Sequence, residues 1–335
     1  MKFSIAMCTF NGAAYLPEQL NSIVEQTAQP FELVVCDDGS TDATRELLNE
    51  FASTSSFPVK VYVNETVLGV KKNFEKAISL CSGEVIVLSD QDDVWHREKL
   101  ARFQQVFANE EAIGLVFTDA EIVDAELNPT GTTMWQVLGF DKAARRSLSH
   151  GNFDVLAPGW TVTGATMAFR SKFRDLCLPI PAELQMLHDG WIALVISSVA
   201  RVEPVHETLI RYRQHSNQQV GAPQRGHEDV EMQLNSLNHS ARRTWSSSGL
   251  FDILSTLQIR LETQGVGYNC ARGITRTKRY RQHLASRASL RPNALKRLPV
   301  IVRELTSLRY HRYSNGFLSA AKDLFSLHMH SANQD

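Results

Sequence analysis

Across the first 120 residues, short apolar runs alternate with segments of helical period, and two of the runs end in acidic turns. Few folds accept that pattern. Phe3–Met7, Phe31–Cys36, Val59–Val63, Glu84–Leu88 and Ile113–Phe117 read as strands. Between them, Leu16, Leu20, Ile23 and Val24 recur at helical spacing, and Ala43–Phe51, Gly69–Cys81 and Trp95–Ala108 read as further helices. The order predicts an α/β chain with a doubly wound, mainly parallel sheet and helices on both faces. Ala165–Phe169 suggests another strand and His188–Ser198 another helix. From Asp124 to Leu156 the pattern is interrupted by Pro129, Gly131, Gly139 and Gly151.

Composition narrows the class. A chain of 335 residues with 43% apolar and 21% charged side chains can bury one large core and carry an appendage; disordered and collagen-like chains are excluded. Five widely spaced cysteines, with no Cys-x-x-Cys pair, argue against a disulfide framework or zinc knuckle and fit a reducing, cytoplasmic setting. The opening MKFSIAMCTFNG reads as a buried strand rather than a signal peptide. The apolar run Trp191–Ala200 is too short to cross a bilayer, which takes about 20 residues.

The net charge of −1 conceals a split. Residues 1–224 hold 18 Lys+Arg against 28 Asp+Glu, and residues 225–335 hold 17 against 8. Ala222–Gly226 is a candidate domain exit. The expected organisation is a domain over 1–222, with a nucleotide half to about 120 and an acceptor half to about 222, followed by a basic helical extension over 223–335. Leu298, Ile301, Val302 and Leu305 share one helical face there, as do Phe317, Leu318, Ala321, Leu324 and Phe325. The basic extension is expected to meet an anionic membrane surface as a peripheral contact, to pack on the acidic domain, or to mediate oligomerisation. Nucleic acid is a poor partner, because the arginines are not interleaved with exposed aromatic stacking residues.

Open α/β sheets place ligands beyond the carboxyl ends of their strands. Two acidic clusters fall at such ends: Asp37-Asp38 after the second strand, and Asp90-Gln91-Asp92-Asp93 after the fourth. Helix capping accounts for one aspartate in each. Three in four residues call for something positive, and Mg²⁺ or Mn²⁺, which binds one or two carboxylates plus phosphate oxygens, meets that need.

Three ordered motifs carry a resemblance: Ile5-Ala6-Met7-Cys8-Thr9-Phe10-Asn11-Gly12, Val34-Val35-Cys36-Asp37-Asp38-Gly39-Ser40-Thr41-Asp42, and Ser89-Asp90-Gln91-Asp92-Asp93-Val94-Trp95. With His188-Asp189-Gly190-Trp191 and Tyr212-Arg213-Gln214-His215-Ser216-Asn217, the first two thirds of the chain resemble family 2 glycosyltransferases of the GT-A fold. The likeness is to bacterial members that build surface polysaccharide, rhamnosyltransferase-like ones among them. The resemblance implies an inverting, metal-dependent transfer of one sugar from a UDP-, GDP- or dTDP-linked donor to a saccharide, carried on a lipid. Thr9, Phe10 and Asn11 would border the nucleotide, Asp38 would read its base or ribose, and Gly69, Lys71 and Asn73 would belong to the segment closing over it. Asp92 would bind the metal, Asp90 the ribose or metal, and Gln91, between them, would contact the nucleotide sugar. Asp93 would cap the following helix. Asp189 would be the catalytic base, His215 a metal or pyrophosphate contact, and Trp160, Gly164, His188 and Trp191 would form the acceptor side. The Gln-x-x-Arg-Trp motif of processive members is absent. Two alternatives stay open. One is a nucleotidyltransferase-like enzyme, for which the Thr9–Gly12 loop lacks a basic residue. The other is a silent sugar-nucleotide-binding module.

Overall fold

The computed structural model describes residues 1–151, 153–159, 161–216, 218, 246–290 and 293–325. They fall into two compact units, Met1–Thr244 and Trp245–Asp335. The expected exit at 222–226 lies outside the described residues.

The first unit is built on strands β1 (Phe3–Thr9), β2 (Glu32–Asp37), β3 (Val59–Val63), β4 (Val85–Ser89), β5 (Val94–Trp95), β6 (Ile113–Val123), β7 (Pro129–Thr133), β8 (Met167–Arg170) and β9 (Arg201–Arg213). They form one sheet in the order β3-β2-β1-β4-β8-β6-β9-β5, with β7 on β6. Strands β3, β2, β1 and β4 run parallel, joined by α1 (Leu16–Val24), α2 (Thr44–Thr54) and α3 (Val70–Leu80). β1, β2 and β4 are buried along almost their whole length, which explains why they read as continuous apolar runs. Beyond β4 the parallel pattern breaks: β8 runs antiparallel to both β4 and β6, and only β6 and β9 are parallel again. Helix α4 (Lys99–Asn109) leads into β6; the short α5 (Met134–Val137), α6 (Lys142–Ser149) and α7 (Arg174–Cys177) and the longer α8 (His188–Val199) follow.

The strand β9 has no counterpart in the sequence reading. Its pairing with β6 shifts register between Ile113 and Leu115, between Thr118 and Asp119 and between Asp119 and Glu121, so its apolar positions lose the period of two. The fourth helix also starts later than expected. Asp93 and Val94 turn into β5, which pairs antiparallel with β9, and the helix begins only at Lys99. Asp93 therefore caps no helix.

One core cluster runs from Phe3, Ile5 and Met7 through Leu33 and Val87 to Phe103, Val116 and Ile210. Within it, Glu32 fastens three strand ends. Its carboxylate accepts from Ser4 Oγ at 2.6 Å, from the Ser82 amide and hydroxyl at 2.7 Å, and from Lys60 Nζ at 2.7 Å. No disulfide joins any of the five cysteines. Burial pushes the Cys36 thiol up to about 11, the mark of an inert core thiol. Among the described residues, no helix is long and apolar enough to cross a membrane.

The second unit is helical: Ser247–Gln264, Ala271–Ala288, Ala294–Thr306, Arg309–Tyr313 and Phe317–Phe325. Its interior is polar as well as apolar. Buried His283 bonds Glu304 at 2.9 Å, and Asp323 accepts from Arg287 at 2.6 Å and from Tyr310 at 2.7 Å.

Burial alone would raise the Glu32 carboxyl, but the donors from Lys60, Ser4 and Ser82 outweigh it and bring it from the ordinary 4.5 down to about 2. A depressed carboxylate stabilises fully above its unfolded pKa and loses that contribution as pH falls through the folded one. Glu32→Gln is therefore expected to cost roughly 2–3 kcal/mol at pH 7. In urea unfolding the difference from the parent protein should narrow steadily below about pH 4.5; a difference constant from pH 7 to pH 3 would contradict this reading.

Candidate active site

The register of the parallel strands decides which turns meet. Thr9 stands beside Asp37, and Met7 beside Ser89, so the loops after β1, β2 and β4 open on one edge. Thr9 Oγ1 donates to Asp37 at 2.9 Å, the Asn11 amide to Ser40 Oγ at 2.9 Å, and the Thr41 amide to Asn11 Oδ1 at 2.8 Å. Gln91 reaches across to Phe10, accepting from its amide at 2.9 Å and donating to its carbonyl at 3.1 Å. This contact explains Gly12: a Cβ there would lie 2.1 Å from Gln91 Oε1. Phe10 itself is left exposed at the rim.

Asp38 is buried and faces the chain rather than open solvent. Its oxygens accept from Asn64 Nδ2 at 2.7 Å and from the amides of Leu68 and Gly69 at 2.7 and 2.8 Å. The left-handed Gly69 (φ +78°) then turns the chain into α3. One expectation for that segment is corrected. Asn73 is buried, donating to Cys36 O at 2.8 Å and accepting from Asn64 at 2.9 Å, so it braces the β2 end and cannot close over a ligand. Lys71 is half-buried. Its ammonium donates to the carbonyls of Pro181, Ala182 and Leu184, and so fixes the loop leading into α8.

The electrostatic centre lies at the end of β4. Burial, then repulsion from Asp92 and Asp189, raises the Asp90 carboxyl from the ordinary 3.8 to about 7. Asp93 is wholly buried and raised further, by burial first and then by Asp92 and Asp90; one of its oxygens has no partner. Two cations answer this charge from below. Lys99 is fully buried, with Nζ 2.7 Å from Ala165 O and 3.7 Å from the centre of the Trp95 ring. Burial drives its ammonium well below the usual lysine value, against the pull of Asp93 and Asp90. Arg213 donates its backbone amide to Asp93 at 3.1 Å and Nε to Asp92 O at 2.8 Å, pairs with Glu18, and stacks over Tyr15. Lys99, Glu18 and Tyr15 were not singled out from the sequence, and Arg213 entered only as part of the motif around His215.

His215 Nε2 lies 2.9 Å from Asp92 Oδ2, the ring stacks on Tyr15 at 4.3 Å, and its buried Nδ1 has no partner. On the opposite side, Asp189 sits in the first turn of α8. Its Oδ2 accepts from the Gly164 amide at 2.9 Å and its Oδ1 from the Gly190 amide at 2.6 Å. The chain has no room for a side chain at Gly164, since a Cβ would stand 3.0 Å from His188 Nε2. His188 is buried against Phe74 with ring centres 4.0 Å apart, and neither ring nitrogen has a partner. Trp191 is a correction. It is fully buried, donating Nε1 to Cys177 O at 2.8 Å, and so fills the core instead of meeting a sugar ring. Trp160 lies outside the described residues.

Among the described residues, no three or more His, Cys, Asp or Glu side chains gather into a ready-made metal cage. What is present is Asp92 touching His215, with Asp90 close enough to repel it. A donor set of one or two carboxylates and an imidazole, itself short of positive charge, fits a dication that takes its remaining ligands from phosphate and water.

The sequence profile of glycosyl transferase family 2 matches residues 4–167. The dTDP-rhamnosyl transferase RfbG of Shigella flexneri is 30% identical over 240 residues, covering 64% of this chain and 74% of that protein. The chain belongs to family 2 of the glycosyltransferases. An uncharacterised glycosyltransferase of Nostoc is 28% identical over 218 residues, or 64% of this chain and 65% of that protein, just under two thirds of its length. Solved structures place this family 2 chain in the GT-A architecture. Staphylococcus aureus TarS with UDP-GlcNAc superposes with a TM-score of 0.57 at 15% identity, covering 96% of this chain and 91% of that one. A mannosyltransferase of Pyrobaculum calidifontis with GDP-Man and Mn²⁺ gives 0.53 at 16%, covering 97% and 87%.

Asp90 titrating near 7 in the folded state disfavours folding as pH rises from about 4 through 7, because the folded form holds a proton that the unfolded form releases. In the metal-free protein, Asp90→Asn is therefore expected to raise the unfolding free energy at pH 8 by roughly 3 kcal/mol, with the gain shrinking as pH falls below about 7 and largely gone by pH 4. Urea unfolding in EDTA at both pH values checks it; a variant destabilised at pH 8 would contradict it.

Proposed function

We propose that this family 2 enzyme moves one sugar from a nucleoside diphosphate donor to a saccharide hydroxyl with inversion, using Mg²⁺ or Mn²⁺. The observation that carries the reading is the opposition of two acidic groups: a cation-deficient cluster, Asp90 and Asp92 with His215, and a separately oriented carboxylate, Asp189, close enough to raise Asp90. Asp92 and His215 would hold the dication, with Asp90 beside them. When bound, the metal supplies Lewis-acid neutralisation of the departing diphosphate.

The chain's own residues do the rest. The Thr9–Gly12 and Asp37–Thr41 turns form the donor edge, rigid because each amide that could wander is tied to a neighbouring loop. The acceptor oxygen attacks the anomeric carbon as the bond to the diphosphate oxygen breaks on the opposite face, and Asp189 takes the hydroxyl proton. Two backbone amides aim that carboxylate before substrate arrives, which favours a single displacement over a search for geometry. The kinship with a protein named dTDP-rhamnosyl transferase favours a dTDP-linked deoxyhexose as donor and surface polysaccharide as product. In this reading the acceptor saccharide rides on a lipid at the inner face of the cytoplasmic membrane, and the working division of the chain is 1–222 for transfer and 223–335 for the extension.

Thermal unfolding with UDP, GDP and dTDP, each with and without Mn²⁺, tests the donor half. One diphosphate should raise the midpoint only with metal, and Asp92→Ala should abolish that gain. Asp189→Asn should leave donor stabilisation within about twofold in affinity while lowering kcat by about 10³. Turnover surviving Asp189→Asn, or stabilisation indifferent to metal and to Asp92, would overturn the proposal.

A further inference from the structure

Two helices of the second unit are apolar on both sides. In Ala294–Thr306, Ile301 turns into the unit together with Arg297 (2% exposed) and Glu304 (0%). Leu295 (80%), Leu298, Pro299 and Val302 face outward in an arc about 100° wide. Phe317–Phe325 does the same: Ala320 and Asp323 are buried, Asp323 paired with Arg287, while Phe317 (70%), Leu318 (78%), Ala321 and Phe325 (79%) point out. A soluble helix normally keeps its outward face polar, and apolar side chains grouped on two neighbouring helix faces mark a surface made to be covered.

The charges around these stripes say what covers it. Residues 246–325 hold 14 Lys+Arg against 4 Asp+Glu. Glu304 and Asp323 are turned inward, where Arg309 and Arg287 pair with them and His283 hydrogen-bonds Glu304. Exposed Lys296, Arg303 and Lys322 lie on the same two helices as the stripes. A second copy of the chain would bring like charge against like charge. An anionic bilayer offers acyl chains to the stripes and negative headgroups to the rim at once. Helices of 13 and 9 residues are too short to span a bilayer and suit an in-plane position. Beside Arg303 is an open cavity of about 610 Å³, lined by Ser286, Ser289, Ser307 and Arg309 as well, a set of hydroxyl and guanidinium donors suited to a lipid phosphate.

We propose that the helical unit docks on an anionic membrane, the outward faces of Ala294–Thr306 and Phe317–Phe325 entering the headgroup–acyl boundary and a lipid phosphate occupying the cavity at Arg303. The surface acts without the donor site, so its test is independent of the transfer reaction. The full chain is sedimented with vesicles of phosphatidylglycerol and phosphatidylcholine, and with phosphatidylcholine alone. Binding should be at least tenfold stronger to the anionic vesicles and should weaken as salt rises. Leu298→Glu with Leu318→Glu should reduce it tenfold or more without moving the thermal midpoint, since both side chains are solvent-facing; Arg303→Ala should reduce it severalfold. Val266→Glu, at an 89% exposed position outside the stripes, should change nothing. Absence of binding to anionic vesicles, binding that survives the double substitution, equal loss with Val266→Glu, or a double variant whose only effect is to dissociate a dimer would each overturn the proposal; full binding by Arg303→Ala would overturn the cavity's part in it.

Discussion

The structure turns on like charges forced together at the end of one strand. β4 is buried along its length and cannot bend away, so the residues that follow it enter the site in a fixed order. Asp90 and Asp93 are deprived of water, and Asp92 and Asp189 stand near enough to repel Asp90. Lys99 and Arg213 temper this repulsion without cancelling it: the one is itself held below its normal protonation range, and the other divides its donors among Asp92, Asp93 and Glu18. A site that remains too negative with its own cations in place is a site shaped for a cation that arrives with substrate. The cost falls on folding stability, as is common where function needs charge in low dielectric.

Around that centre the chain spends its hydrogen bonds on rigidity. Asp38 holds the segment before α3, Lys71 holds the segment before α8, and Glu32 holds three strand ends. Asp38 and Lys71 fix the two loops between which donor and acceptor have to meet. The helical unit follows a different logic: charge is buried beside its apolar core, apolar side chains also stay on its surface, and the buried charge is satisfied by pairing, as at Asp323 with Arg287.

The part of this molecule that was legible in the sequence is the part governed by short-range rules. Buried parallel strands such as Glu32–Asp37 and Val85–Ser89 announce themselves as apolar runs ended by turn residues, and the pairing of their loops follows from topology alone. The strand Arg201–Arg213 was not legible, because its register shifts erase the alternation and its partner lies some 90 residues away. Distance along the chain likewise hid the role of Arg213, whose partners Asp92 and Asp93 lie about 120 residues away. Trp191 and Asn73 were read as ligand contacts because a residue's type does not reveal which side of a helix faces the core; only packing against Cys177 and Cys36 shows that. The apolar stripe of residues 298–305 was visible, but not its division: Ile301 is buried with Leu305 packed beside it, while Leu298 and Val302 turn outward.

The account's central claim is that the carboxylates at the end of β4 are completed by a dication. Mn²⁺ electron paramagnetic resonance on the full chain tests this most directly, with dTDP, UDP and GDP each added in turn. The account predicts that one of the three diphosphates gives a single bound Mn²⁺ per chain, its hyperfine lines broadened, and that the signal is lost in Asp92→Ala and weakened in a His215 variant. Free Mn²⁺ in every case, or a bound ion whose signal is the same in Asp92→Ala, would contradict it.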